Sequence, residues 1–333
     1  MQESATQTRP QAPPTQGVKY AGSKRALLGW ILRTIEPLAV SSVFDGFAGT
    51  TRVSQALAAA GYRVVSNDSA VWSRVFGQCF LLNHRAPEFY QPWIDHLNAL
   101  PGRDGWFTAH YGGEPNGGLS VQADGYKRPW QIHNTRKLDA IRGEIDRLTD
   151  DPIERAVLLT SLMLALDQVD SSLGHHVSYL KQWAPRSYRT LRLRVPRCSP
   201  SNRAHAVHCD DVRQLAPQVE TDLAYFDPPY GSANDKMPPS RVRYASYYHL
   251  WTTICLNDQP EVSGAARRRV DASDVRAASD FEDFRRGANG RFRVIEELEQ
   301  LLKSTRARYI LLSYSNQGRA TRAELAELLD GLG

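Results

Sequence analysis

The stretch Val43-Phe44-Asp45-Gly46-Phe47-Ala48-Gly49-Thr50-Thr51 decides the fold class. Val43 and Phe44 form a short β-prone apolar run, and Gly46 and Gly49 supply a turn. A helical pattern then runs from about Arg52 to Ala60, with Gly61 where a helix C-cap glycine belongs. A second unit repeats the order: residues 63–66 read as a strand, Asn67-Asp68 sit at its tip, and residues 71–82 read as a helix. Two βα units with short connections predict a parallel sheet covered by helices. Upstream, residues 22–35 read as an amphipathic helix behind a glycine turn, closed by Pro37.

Downstream the pattern breaks. Residues 101–130 are rich in Gly, Pro and aromatics without a period, which predicts a loop. Residues 132–148 and 152–166 read as helices, and strand signals return at 204–208 and 223–226. Residues 247–256 look helical, and the polar stretch 261–290 reads as a long mobile loop. A helix over 292–304, a strand over 309–313 and a helix over 321–329 complete the reading. The regular α/β parts, residues 18–100 and 204–333, therefore flank an insertion at 101–203 of roughly 100 residues. Residues 1–17, rich in Gln, Thr and Pro, are expected to be a disordered tail. No internal repeat is visible.

Composition narrows the class. Of 333 residues, 41% are hydrophobic, enough for a sizeable core, yet no apolar run is long enough to span a bilayer. The N-terminus lacks the apolar stretch of a secretory signal. Four cysteines, Cys79, Cys198, Cys209 and Cys255, have no CxxC spacing, so neither a zinc site nor a disulfide framework is expected, and a reducing, cytoplasmic setting follows. His175-His176 invites a metal reading, but adjacent histidines on one helix point apart, and no metal is expected. The net charge of +5 is a weak sign of nucleic acid. Its distribution says more: Lys181, Arg186, Arg189, Arg192, Arg194, Arg197 and Arg203 fall in one stretch without Asp or Glu, interleaved with Trp183 and Tyr188. Such a stretch suits a phosphate backbone or, equally, a solvated loop.

Ligands of an open α/β sheet sit beyond the carboxyl ends of its strands. Asp45 with Gly46 and Gly49, then Asp68, then Asp210 or Asp211, place an acid at each of three strand tips. An acid at the second tip can bind both hydroxyls of a ribose, so the set reads as a nucleoside-type cofactor site; the alternative is that these acids cap helices. Asp227-Pro228-Pro229-Tyr230 is the most specific signal. Consecutive prolines hold the backbone extended and remove N–H donors. Their carbonyls and the Asp227 carboxylate can then hold both hydrogens of an exocyclic amine, turning its lone pair to an electrophile, while Tyr230 stacks the base. Direct displacement, with positioning as the main contribution, is the mechanism this arrangement serves.

Together these motifs resemble the Dam-related adenine-N6 DNA methyltransferases. Lys19-Tyr20-Ala21-Gly22-Ser23-Lys24 resembles that family's N-terminal cofactor motif, residues 44–50 its glycine motif, Asn67-Asp68 its ribose acid, Asp227 to Tyr230 its catalytic tetrapeptide, and Ser313-Tyr314-Ser315-Asn316 its late strand-end motif. The resemblance implies a Rossmann-like methyltransferase fold, S-adenosylmethionine as methyl donor, and a flipped adenine of duplex DNA as acceptor. It assigns Lys19, Tyr20, Gly22, Asp45, Gly49, Asp68 and Asp211 to the cofactor, and Asp227, Pro228, Pro229 and Tyr230 to catalysis. The insertion becomes a target-recognition region, with Lys127, Arg128, Arg136, Lys137, Arg186, Arg189, Arg192 and Arg194 as DNA contacts; phosphate contact suits most of them. His133 and Asn134 are further candidates, and Tyr244, Tyr247, Tyr248, His249 and Trp251 either line the base pocket or pack the core. A cognate restriction endonuclease is an implied partner, and a membrane is not.

Two positions depart from the pattern: Thr51 stands where a second glycine is usual, and little sequence follows residue 316 for the usual final β-hairpin. Alternatives to the leading reading are methylation of RNA, methylation of cytosine at N4, and a non-catalytic DNA-binding subunit.

Overall fold

The computed structural model describes residues 10–198, 200–230, 243–272, 279–283, 285–288 and 290–332. Nine strands are described: β1 (Ser42–Asp45), β2 (Arg63–Asn67), β3 (Gly112–Gly113), β4 (Trp130–Gln131), β5 (Ala206–His208), β6 (Glu220–Phe226), β7 (Val262–Ser263), β8 (Arg268–Arg269) and β9 (Arg306–Leu312). Five form the central sheet in the order β5-β2-β1-β6-β9, every neighbouring pair parallel. From β1 the chain winds outward through β2 to β5, then returns to β1's other side with β6 and β9. The order reverses between β1 and β6, where Val43 lies opposite Leu223 and Asp45 opposite Tyr225. A crevice forms beyond the carboxyl ends at such a reversal, because the connections leave to opposite faces.

Helices cover both faces, so the strands read as continuous apolar runs rather than alternating ones. Val43, Val64, Leu223 and Tyr225 pack with α1 (Leu28–Ile35) and α2 (Arg52–Ala59). Phe44, Val65, Ala224 and Phe226 face the opposite layer, which includes Val294, Ile295 and Leu298 of α11 (Arg293–Ser304) and Leu328 of α12 (Arg322–Asp330). The insertion contributes α5 (Trp106–Tyr111), α6 (Ile132–Leu148) and α7 (Pro152–Asp167). With α4 (Pro87–Ala99) and α10 (His249–Leu256) these share one buried cluster with Trp72 and Phe76 of α3 (Val71–Gly77). The short α8 (Val212–Leu215) and α9 (Tyr244–Tyr247) complete the set. At the N-terminus, Arg52 donates to the carbonyls of Thr15 and Gly17 (2.7 and 2.8 Å), and Gln55 bonds Gln16.

Two expectations are corrected. The aperiodic stretch 101–130 contains α5, because Asp139 of α6 accepts hydrogen bonds from the Phe107 and Thr108 amides (3.0 and 2.8 Å). That cap is supplied by a side chain far along the sequence, so no local pattern announces the helix. The stretch read as a mobile loop, 261–290, holds the β7–β8 hairpin. Arg267 fastens it to Asp124 (2.8 Å), and Arg269 to Asp258 and Asp271 (2.7 and 2.6 Å). Residues 273–278, 284 and 289 of that stretch lie outside the described residues. α4 carried no expectation at all; its interior Pro92 masks the helical pattern.

Asp222, at the start of β6, aligns the central pair. Its Oδ2 accepts from the Ser41 and Ser42 amides (2.7 and 2.9 Å) and from both hydroxyls (2.8 and 2.9 Å). These bonds hold the carboxyl down at about 2, below its ordinary 3.8. A depressed acid stabilises the fold fully above its unfolded-state value, and that contribution is lost as pH falls through about 2. Asp222→Asn is therefore expected to cost about 1–2 kcal/mol at neutral pH. In urea unfolding, the gap between variant and wild type should close as pH drops from about 4 to about 2.

Candidate active site at the reversal of the sheet

A cavity of about 580 Å³ opens beyond β1 and β6. Its floor is the turn after β1. Gly49 takes a left-handed conformation (φ +49°), and a Cβ there would stand 3.1 Å from the Tyr20 ring. Thr51, in place of a second glycine, also takes the left-handed region (φ 57°). Its amide bonds the Ala48 carbonyl (2.7 Å), and its hydroxyl accepts from Gln55 Nε2 (3.0 Å). The turn thus stays tight at a strain of about 1–2 kcal/mol, and the departure from the family pattern is absorbed locally.

Asp68, at the tip of β2, accepts from the Gly49 amide (2.8 Å) and the Ala70 amide (2.9 Å). One carboxylate thus braces the turn and begins α3, while lining the cavity. Burial raises its pKa against those two bonds. Asp45 sits beneath the turn, fully buried, with Ser54 donating to it at 2.6 Å. Burial pushes its carboxyl up to about 7, the Ser54 hydroxyl opposes, and the charges of Asp227 and Asp68 add to the rise. Asp45 therefore supports the turn from below rather than lining the cavity. Tyr20 stacks on Tyr248 at 4.7 Å and forms an aromatic wall with Trp72 and Tyr244.

At the tip of β6, Asp227-Pro228-Pro229-Tyr230 runs along the opposite rim. Tyr230 packs edge-on to Tyr314 (5.6 Å), and its carbonyl accepts from the Arg319 amide (2.8 Å). Asp227 Oδ2 pairs with Lys24 Nζ at 2.5 Å, while Oδ1 is buried. Burial pushes Asp227 up to about 6, with the Lys24 ammonium and the Ser313 hydroxyl holding it down.

The structure brings together Tyr20, Gly22, Gly49, Asp68, Asp227, Pro229 and Tyr230 around one cavity. It does not bring Lys19 there: that side chain pairs with Asp170 (2.6 Å) and Asp167 (3.5 Å) behind the wall. Asp211 and Asp210 both line the cavity; Asp211 caps α8 and is held by Arg213 (2.6 Å), whereas Asp210 is more exposed and its carboxylate pairs with His208 (3.7 Å). Of the candidate DNA contacts, Arg128 is buried against Asp124, Lys137 donates to the Asn98 and Leu100 carbonyls, and Arg186 pairs with Asp170. Arg136 pairs with Asp104, and Lys127 is half-buried. Arg189, Arg192 and Arg194 are exposed and carry no ion pair among the described residues. Arg192 and Arg194 alternate with buried Leu191 and Leu193 on an extended arm whose backbone is latched by Asn134 and Asn98. His133 and Asn134 bind the Arg189 carbonyl and serve that latch. Tyr244 lines the cavity, whereas His249 and Trp251 are buried behind it. His175 and His176 lie in a bend rather than on a helix, with His176 against Trp251 (4.7 Å).

Sequence reasoning missed three contributors. Lys24 stood in the quoted motif without a role. Ser279 to Glu282 close the cavity's far end, with Phe281 edge-on to Phe47 (5.1 Å) and Asp280 paired to Arg213 (2.5 Å). Arg269 and Asp271 add a side wall. The last two fall in the weakly patterned 261–290 stretch, where the only local signal was the Ser279/Glu282 capping-box spacing.

A parallel sheet with this reversal, a glycine turn and Asp68 on one side of it, and Asp-Pro-Pro-Tyr on the other define a Rossmann-like methyltransferase. Residues 20–280 match the profile of the D12 class N6 adenine-specific DNA methyltransferases, and the chain belongs to that family. It is similar to modification methylase StsI of Streptococcus sanguinis (25% identical, over 94% of this chain and 46% of the relative). It is also similar to modification methylase LlaI of Lactococcus lactis subsp. lactis (26%, over 93% and 48%) and to type II methyltransferase M.NlaIII of Neisseria lactamica (24%, over 95% and 89%). The chain spans about half the length of the first two and most of the third. No helix among the described residues is long and apolar enough to cross a membrane.

Replacing Lys24 by Met removes the cation paired with Asp227 among the described residues, so the Asp227 carboxyl is expected to titrate above its wild-type value of about 6. Carboxyl-carbon NMR of aspartate-labelled protein reads this directly; an unchanged midpoint would show that the pair does not exist in solution.

Proposed function

We propose that this chain transfers a methyl group from S-adenosylmethionine to the N6 amine of an adenine flipped from duplex DNA, at a specific sequence. The observation that carries the reading is the placement of Asp227 and Tyr230 on one rim of the cavity and of the Gly49 turn and Asp68 on the other. The cavity fits a nucleoside-bearing donor. Gly49 lets the Tyr20 ring pack directly on the turn as a wall of the cavity, and each Asp68 oxygen keeps acceptor capacity beyond its one backbone bond. Gly22 and Tyr20 face the methionine end, and Asp210 suits the adenine amine of the donor better than Asp211, which Arg213 holds.

Bound there, S-adenosylmethionine supplies an electrophilic methyl group. The protein's part is positional. Asp227 and the Pro228 carbonyl accept the two amine hydrogens, Tyr230 stacks the base, and the amine's lone pair is left facing the donor side. Asp227 is also placed to take the proton that the methylated amine sheds. An adenine within a duplex cannot reach this depth, so the base must leave the stack.

The insertion, residues 101–203, serves target recognition in this reading. Arg189, Arg192 and Arg194 contact phosphates, while Arg128, Lys137 and Arg186 hold the region's own structure. A restriction endonuclease of matching specificity is the natural counterpart of such an enzyme.

Two measurements test the reading. In transfer of labelled methyl to unmethylated DNA, Asp227→Ala should lose at least ~10²-fold in rate while donor binding by calorimetry stays near wild type; Asp68→Ala should weaken donor binding. Loss of donor binding in Asp227→Ala would instead place Asp227 in the cofactor site. Replacing Arg192 and Arg194 together by Ala should lower the slope of log affinity for DNA against log salt by about 2; an unchanged slope would remove the arm from the interface.

A further inference from the structure

Lys24 holds a position that the chemistry just described reserves for another group. Its Nζ lies 2.5 Å from Asp227 Oδ2 and 5.4 Å from the centroid of the Tyr230 ring, and it also donates to the Gly22 carbonyl (3.0 Å). The Lys24 side chain is only 10% exposed, so this is an enclosed contact and not a surface pair. Asp227 has two oxygens, but they are not equivalent. Oδ1 is shut off from solvent, leaving Oδ2 as the oxygen that an entering group can meet. An amine on a base stacked against Tyr230 must donate to that same oxygen.

We propose that Lys24 is a positioning residue whose ammonium stands in for the substrate amine in the free protein. It occupies the acceptor oxygen of Asp227 and the space over Tyr230, and the incoming base displaces it. This rests on the function proposed above. The ammonium meets two needs of the empty site. It gives a buried carboxylate a charge-assisted partner until the base arrives. It also places a donor over the Tyr230 face, where the amine of a stacked base would lie. The exchange replaces one N–H donor to Oδ2 by another, so no acceptor is left bare. Its cost falls on binding: the base competes with a resident cation, and an adenine is accepted only where DNA contacts contribute enough to displace it.

The test uses the full chain with Lys24→Met and, as a second variant that keeps the charge, Lys24→Arg. The comparison is made at pH 8.5, above the wild-type Asp227 value of about 6. There, Lys24→Met should lower KM for unmethylated DNA by roughly 10-fold with kcat near wild type, the size of one lost charge-assisted hydrogen bond. As pH falls below about 7, its rate should drop earlier than the wild type's, because Asp227 protonates sooner. Independently of turnover, 9-methyladenine should bind Lys24→Met more tightly than wild type with S-adenosylhomocysteine saturating the donor site, and Lys24→Arg should resemble wild type. A fall in kcat with KM unchanged would place Lys24 in the transition state and overturn the proposal. Equal affinity for 9-methyladenine in all three proteins would overturn it too. If wild type transfers no methyl group at all, the parent function fails, and 9-methyladenine binding still decides whether Lys24 blocks the acceptor oxygen.

Discussion

The parallel pairing of β1 with β6 is the constraint on which the rest of the molecule depends. It joins strands far apart in sequence, Val43 opposite Leu223 and Asp45 opposite Tyr225, and creates the reversal in strand order. The Gly49 turn and Asp68 follow β1 and β2 on one side of the cavity, and Asp227 to Tyr230 follow β6 on the other. Were this pair to slip by one residue, the side chains of β1 would be set against the wrong helical layers, Val43 in place of Phe44. The bonds of Asp222 to Ser41 and Ser42 resist that slip at the opposite end of the same pair.

Electrostatics concentrates where the strands converge. Asp45, Asp68 and Asp227 are acids brought close together and out of water, and each has its pKa raised, chiefly by that burial. Asp68 is compensated by backbone amides, Asp45 by a serine hydroxyl, and Asp227 by an ammonium. The three differ in what can be exchanged. Amides of a tight turn and a buried hydroxyl are fixed, whereas a lysine head group can leave. The acid with the removable partner is the one on the Asp-Pro-Pro-Tyr rim.

Much of this was legible in the sequence, for a physical reason. The turn after β1, Asn67-Asp68 and Asp-Pro-Pro-Tyr are local arrangements in which neighbouring residues set the backbone, so reading them in order recovers their geometry. The five central strands and α11 were legible for the same reason, through apolar runs and helical periodicity. What escaped depends on contacts between distant segments. α5 exists because Asp139 caps it, the β7–β8 hairpin because Arg267 and Arg269 find Asp124 and Asp258, and Lys24 gains a role only from its distance to Asp227. The same limit sorted the arginines. Arg128 and Arg186 look no different in sequence from Arg192 and Arg194, yet the first two are held by Asp124 and Asp170 while the last two stand free of ion pairs among the described residues.

The central claim is that the Asp227–Tyr230 rim receives an adenine amine. It is tested most directly by incubating the protein and S-adenosylmethionine with unmethylated DNA, then identifying the modified nucleoside by mass spectrometry after complete digestion. The expected product is N6-methyldeoxyadenosine alone. N4-methyldeoxycytidine, or DNA left unmodified by a protein that binds both donor and duplex, would contradict it.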